Sequence, residues 1–256
     1  MDMPKNRFKQ RMAKNQLQLG LFLGLANSIS TEILAGCGFD FLLIDAEHSP
    51  NDLRSIQAQL QTIAAYPVSA MVRPPNHDTS LIKQLLAIGT QTLLIPMVET
   101  PQQARDLVAA VRYPPLGVRG VGIALERSAR WTNIPDYFAQ VAEQTCLIIQ
   151  IESLLGIQNL DEILAIEGLD AVFLGPTDLA ASMGYLNQSN HPEVQAAIKQ
   201  ALQQIHAAKK AAGIFSSDPA LAKQYQAEGV SFLAIGADTI ILRNACVNLL
   251  KERQKY

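Results

Sequence analysis

Short apolar runs recur along the chain, separated by longer segments with apolar residues at three- and four-residue spacing. The runs lie at Leu19–Leu25, Phe39–Asp45, Val68–Arg73, Thr92–Pro96, Leu147–Glu152, Ala171–Gly175, Gly213–Ser216 and Phe232–Gly236. Most are continuous rather than alternating, as expected of parallel strands covered on both faces. Helical spacing marks Asp52–Ala65, Thr79–Ala87, Pro101–Val111, Gln195–Ala212 and Pro219–Glu228. The boundaries agree. Asp52 and Asp78 can cap N-termini, Pro101 and Pro219 suit first turns, and Gly89, Gly213 and Gly229 follow helix ends. Eight strand–helix repeats predict an α/β fold, a (β/α)8 TIM barrel, as a single domain over residues 1–256. No glycine-rich turn follows the first run, which disfavours a dinucleotide-binding sheet.

Two stretches interrupt the repeat. Tyr113–Trp131 is long and rich in Gly, Pro and Arg; its place after the fourth unit predicts an active-site loop. Residues 184–194 are a polar insertion in the sixth unit.

Composition narrows the function classes. The chain has 256 residues, 48% hydrophobic and 17% charged, with a net charge of −2, so no electrostatic case exists for nucleic acid or an anionic membrane. Basic Lys5–Lys14 reads as a surface helix, and the segment after it lacks the apolar core of a secretory signal. Cys37, Cys146 and Cys246 are far apart without metal-ligand spacing, as expected of reduced thiols in a cytoplasmic protein. No apolar stretch reaches transmembrane length.

Functional groups of a (β/α)8 barrel come from the C-terminal ends of its strands. Those ends collect Asp45, Glu47 and His48, then Arg73, Glu99, Gln150 and Glu152, and finally Thr177 and Asp178. Glu152 and Asp178 follow adjacent runs, which puts their carboxylates about one strand spacing apart, ~5 Å. Two oxygen ligands with open positions suit a hard divalent cation. The competing roles are an ion pair to Arg for Glu152 and a helix cap for Asp178. In either case the free amides at Thr177 and Asp178 can hold a substrate carboxylate. His48, beside acids able to orient its ring, is a candidate general base. Arg73 ends a buried strand and must meet an anion, either a developing oxyanion or Asp45 or Glu47. No strand ends in Lys, since Lys83, Lys199, Lys209, Lys210 and Lys223 all lie in helical patterns, so Schiff-base chemistry is disfavoured. A metal chelated by a 2-oxo acid, an arginine at the oxyanion and a histidine moving the proton make a carbon–carbon lyase.

The chain resembles the HpcH/HpaI aldolases, the class II pyruvate aldolases, from about Leu19 to Asn244. The resemblance rests on Phe41–Asp52 (FLLIDAEHSPND), Val72-Arg73-Pro74, Tyr113–Gly120 (YPPLGVRG), Gln150-Ile151-Glu152 and Phe173–Leu179 (FLGPTDL). It implies cleavage of a 4-hydroxy-2-oxo acid, such as 4-hydroxy-2-oxoheptanedioate, into pyruvate and an aldehyde such as succinate semialdehyde. A 2-dehydro-3-deoxy sugar acid is the alternative substrate. Among the residues, it implies that His48 is the base, that Arg73 stabilises the transition state, and that Glu152 and Asp178 bind Mg2+, Mn2+ or Co2+. Gln150 and the Thr177 backbone would contact pyruvate. It further implies a hexamer, a trimer of dimers, in which subunits exchange their last helix, and the apolar pattern Ile240–Leu250 is compatible with this. One position departs from the pattern. Ala87 stands where an Asp that supports the histidine is usual, so the base would be weaker, another acid (Asp45, Glu47 or Asp78) would take that part, a metal-bound hydroxide would replace it, or the chain would bind without turnover. Arg119, Arg127 and Arg130 are candidates for a distal substrate carboxylate, for subunit salt bridges, or for plain solvation.

Overall fold

The computed structural model describes residues 1–253. Eight parallel strands close in sequence order into a barrel: β1 Gln18–Leu23, β2 Phe41–Asp45, β3 Ser69–Arg73, β4 Thr92–Ile95, β5 Cys146–Ile151, β6 Ala171–Leu174, β7 Ala211–Phe215 and β8 Phe232–Ala237. All eight apolar runs are strands, each within a few residues of its expected limits. Around them lie α2 Ser28–Ala35, α3 Leu53–Ile63, α4 Thr79–Ala87, α5 Pro101–Ala110, α9 Pro176–Ser182, α10 Pro192–Ala207, α11 Pro219–Ala227 and α12 Asp238–Arg253, preceded by α1 Arg7–Met12. The short helices α6 Tyr137–Gln144, α7 Leu154–Gln158 and α8 Leu160–Leu164 complete the set. Caps fall where the sequence places them: Asp52 and Asp78 accept amide hydrogen bonds at the starts of α3 and α4.

The core has two layers. Leu, Ile and Val side chains on the outward faces of the strands pack beneath the helices. The barrel interior is filled by Phe41, Leu43, Met71, Leu94, Ile148, Phe173 and Phe232. Phe41 and Phe232 fit because Gly20 and Gly213 leave their rings the space a Cβ would take.

Three expectations are corrected. The basic N-terminal segment does form a helix, but it is not simply a surface one. Phe8 and Met12 are buried, and Phe8 stands edge-on to Phe41 and Phe232 at 5.5 and 5.2 Å, closing the end where the strands begin. The helix expected over Gln195–Ala212 stops at Ala207, because Ala211 and Ala212 are the first residues of β7. The segment Tyr113–Trp131 follows α5, not β4, so it lies at the strand N-terminal end and not among the active-site loops. A chain that has run back down a helix stands at the bottom of the barrel, whatever its loop composition suggests.

Candidate active site at the C-terminal rim

At the strand C-termini a cleft of about 600 Å³ is lined by Asp45, His48, Arg73, Gln150, Thr177 and Asp178, among others. Phe22, Phe173 and Phe215 supply much of its apolar wall. Sequence periodicity had no means of marking these aromatics as lining, because they continue the same strands that build the core.

Asp45, the last residue of β2, does two jobs. Its Oδ1 accepts from Arg73 Nε at 2.7 Å and from the Glu47 amide at 3.1 Å; its Oδ2 accepts from the His48 amide at 3.3 Å. The carboxylate therefore holds the arginine and folds the 46–48 turn over the strand end. Arg73 Nη1 lies 2.9 Å from Glu47 Oε2, and its guanidinium carbon stands 5.0 Å from the centre of the Phe22 ring. The ion pairs to Asp45 and Glu47 are thus both formed, and they aim the guanidinium. Burial works against the charge of Arg73, but the hydrogen bond and the charge of Asp45 outweigh it and raise the group further.

His48 has a largely exposed imidazole, 65% accessible, with Nε2 3.7 Å from Glu47 Oε2. Glu47 is the nearest acid to the ring. Ala87 ends α4 at the opposite side of the barrel, next to the turn that leads into Thr92 at the start of β4. Within one chain, position 87 and His48 therefore lie at opposite ends of the barrel. Asp78 is spent on the N-terminal amides of α4.

Glu152 is almost fully buried at the end of β5, 2% exposed. Its Oε1 accepts from the Met97 amide at 2.8 Å, and Gln150 Nε2 donates to its Oε2. Gly175, beyond β6, presses against the same carboxylate. Burial pushes the Glu152 carboxyl up to about 7; the two hydrogen bonds oppose this, and Glu47 and Asp178 add to it by like charge. Glu47 is also raised, mainly by burial, with Arg73 and His48 pulling it down and Asp45 and Asp178 pushing it up. Asp178 is exposed in the first turn of α9, whose N-cap is Gly175, and it makes no side-chain cap. The amides of Thr177 and Asp178 lie in that turn, where helix geometry provides no internal acceptor. Gln150 Oε1 is buried without a partner.

Four carboxylates (Asp45, Glu47, Glu152 and Asp178) thus gather around one guanidinium, and like charge from Asp178 adds to the upward push that burial gives both Glu47 and Glu152. Such an excess of desolvated negative charge fits a divalent cation held by Glu152 and Asp178 with open positions left over. Glu99 is neither among the residues that line the cleft nor among the charges acting on Glu47, Arg73 or Glu152. The sequence reading missed Asp238, buried at the start of α12, whose two oxygens accept from the amides of Gly24 and Leu25 and tie the β1 loop to the end of β8. Its position directly after a strand was the available signal. Arg119, Arg127 and Arg130 lie at the other end of the barrel, so they do not reach a substrate at this rim within one chain.

A closed parallel barrel with carboxylates, a guanidinium and an imidazole gathered at its strand C-termini defines the class: a TIM-barrel enzyme with its active site at that rim. Residues 18–245 match the HpcH/HpaI aldolase/citrate lyase family, and the chain belongs to it. A hydroxypyruvate/pyruvate aldolase of Deinococcus radiodurans is 55% identical over 97% of this chain and 90% of its own. A 4-hydroxy-2-oxo-heptane-1,7-dioate aldolase of Salmonella dublin is 53% identical over 93% of this chain and 90% of its own. Among solved structures, a HpcH/HpaI aldolase/citrate lyase family protein from Burkholderia cenocepacia superposes with a TM-score of 0.94 at 37% identity, covering 98% of this chain and 100% of that one.

Proposed function

We propose that this protein is a divalent-metal-dependent pyruvate aldolase that reversibly splits a 4-hydroxy-2-oxo acid into pyruvate and an aldehyde. The observation that carries the reading is the buried Glu152 carboxylate and the half-buried Glu47, gathered behind Arg73 at the wall of a cleft that Arg73, Gln150, Asp178 and His48 line. Relatives at 53–55% identity carry aldolase names, which supports the carbon–carbon lyase class.

Glu152 and Asp178 would hold Mg2+, Mn2+ or Co2+, and the bound cation supplies Lewis acidity towards the carboxylate and ketone of the 2-oxo acid. Gln150 and the first-turn amides of α9 flank the same place and can fix the carboxylate. Arg73, clamped by Asp45 and Glu47, is aimed before substrate arrives and costs little reorganisation when charge develops on the 2-oxo oxygen. His48, at the open side of the cleft, takes the proton of the 4-hydroxyl as the C3–C4 bond breaks. The electrons of that bond form the C2=C3 bond of an enolate as the carbonyl pair moves to the 2-oxo oxygen, and His48 returns its proton to C3 to give pyruvate. The Phe22 and Phe215 rings keep this region partly dry, which strengthens each of these charge contacts.

A second reading concerns the nucleophile. The hydroxypyruvate/pyruvate name of the Deinococcus radiodurans relative favours hydroxypyruvate as an additional partner for the aldehyde. Sugar-acid cleavage stays within the same chemistry.

The remaining assignments rest on less. Residues 1–253 form one barrel, which supports a single domain. Ile240, Ile241, Leu242, Leu249 and Leu250 of α12 are about half exposed, and such an apolar face supports self-association, as a hexamer with exchanged helices. No described helix is long and apolar enough to cross a membrane, and Cys37, Cys146 and Cys246 are free thiols, which supports action in the cytoplasm.

The test is pyruvate release from 4-hydroxy-2-oxoheptanedioate, with EDTA and then with Mg2+, Mn2+ or Co2+ restored. Loss in EDTA and recovery with metal is the expected result. Release unaffected by EDTA overturns the metal-dependent reading.

A further inference from the structure

The end of the barrel where the strands begin carries a cavity of about 540 Å³. Its walls include Lys5, Arg7, Arg119, Arg127 and Arg130, with Asp2 the single acid among the described lining residues. Two donors in these walls are buried and unbonded. Arg119, 2% exposed, spends Nη2 on Glu126 and on the Tyr137 hydroxyl, each at 3.2 Å, while its Nε has no acceptor. Thr90 Oγ1 is likewise enclosed without a partner.

Arg127 and Arg130 deepen the imbalance. Arg127 Nη1 donates to Ile88 O at 3.0 Å, against the closing turn of α4, where Gly89 (φ +103) leaves its guanidinium room. Arg130 donates to Arg127 O at 3.3 Å. Burial and then the neighbouring charge of Arg130 disfavour the charged form of Arg127. Neither side chain has a carboxylate partner among the described residues. Arg130, Trp131 and Thr132 all have left-handed backbones (φ 49, 51 and 71), a costly run that holds Arg130 beside Arg127. Half-buried like charges with orphaned donors beside them are stabilised by an anion that several donors can share.

We propose that this cavity binds a small anion with at least two negatively charged oxygens, of the phosphate or dicarboxylate class, at a site separate from the rim. The planar forks of Arg127 and Arg130 suit paired oxygens, and the Arg119 and Thr90 donors complete the shell. The substrate of the proposed reaction is held at the other end of β4, beyond Met97, so the two sites do not share a residue.

Calorimetric titration of the metal-loaded enzyme with inorganic phosphate, and separately with succinate, at fixed ionic strength reads the site. One saturable event per chain is expected with at least one of the two, and which one saturates distinguishes the tetrahedral from the dicarboxylate ligand. Binding should survive Arg73→Ala, which removes the rim guanidinium, and weaken at least about tenfold in Arg130→Gln. Thr90→Val, close in volume, should weaken it by a smaller factor and covers the case in which the arginine variant fails to fold. No saturable binding of either anion overturns the proposal. So does binding that Arg73→Ala abolishes, or binding that both Arg130→Gln and Thr90→Val leave unchanged.

Discussion

Gly175 lies so close to Glu152 that a methyl group on it would stand 2.6 Å from the carboxylate Oε2 and 2.8 Å from its Cβ. The φ of Gly175, −103°, is open to any residue, so an alanine there offends only by its bulk. Gly175→Ala should therefore fold, displace Glu152 and weaken Mn2+ binding by about 10- to 100-fold, the usual cost of disturbing a ligand's support. A metal titration of the variant with unchanged affinity would remove Glu152 from the ligand set.

Arg73 depends on geometry as much as on charge. Lysine keeps the charge but cannot reach Asp45 and Glu47 while also pointing a planar edge into the cleft. Arg73→Lys should lower kcat by about a hundredfold or more, the loss typical of a missing oxyanion donor. Steady-state kinetics with metal saturating would check it, and a change confined to KM would assign Arg73 to ground-state binding instead.

The raised carboxyl of Glu152 gives the metal-free protein a pH dependence of known sign. Its folded value of about 7 exceeds the ordinary 4.5, so the fold favours the protonated form. That contribution is complete below pH 4.5 and is lost as the pH rises through about 7, a change on the order of 3 kcal/mol. In EDTA, the melting temperature of the wild type should fall across this window more than that of Glu152→Gln, which has nothing to titrate. Parallel curves would show that burial does not set the protonation of Glu152.

Phe8 closes the far end of the barrel, in contact with Phe41 and Phe232. Phe8→Ala should cost about 3–5 kcal/mol of stability, by the cavity it leaves. Urea denaturation measures the loss. Activity of the folded fraction should persist, since the ring is a full strand length from the rim.

Much of this was legible in the chain. Continuous apolar runs ending in Asp45, Arg73 and Glu152 announced both the strands and the end at which chemistry gathers, because a parallel strand buried on two faces leaves only its last residues for polar work. Helix α4 fell at its expected limits, Thr79–Ala87, since Asp78 and Gly89 bracket it with strong local signals. Tyr113–Trp131 was assigned to the wrong end because it was placed after the fourth unit without regard to direction: a segment that follows the helix, not the strand, of a unit lies at the strand N-terminal end. Phe8 was invisible for a related reason: among Lys and Arg, two apolar residues do not reveal that they meet a barrel mouth. The part played by Glu47 needed the fold, for only the turn held by Asp45 brings it between Arg73 and His48.

On the proposed metal-dependent reading, the surplus of acids at the rim would also set an order of arrival. A 2-oxo dicarboxylate drifting towards Asp45, Glu47, Glu152 and Asp178 would meet a cluster of acids with a single guanidinium among them. With the proposed cation in place first, the same mouth would become attractive. Occupancy by one partner then tightens the other by the same factor, so scarcity of metal would register in the cell as scarcity of substrate.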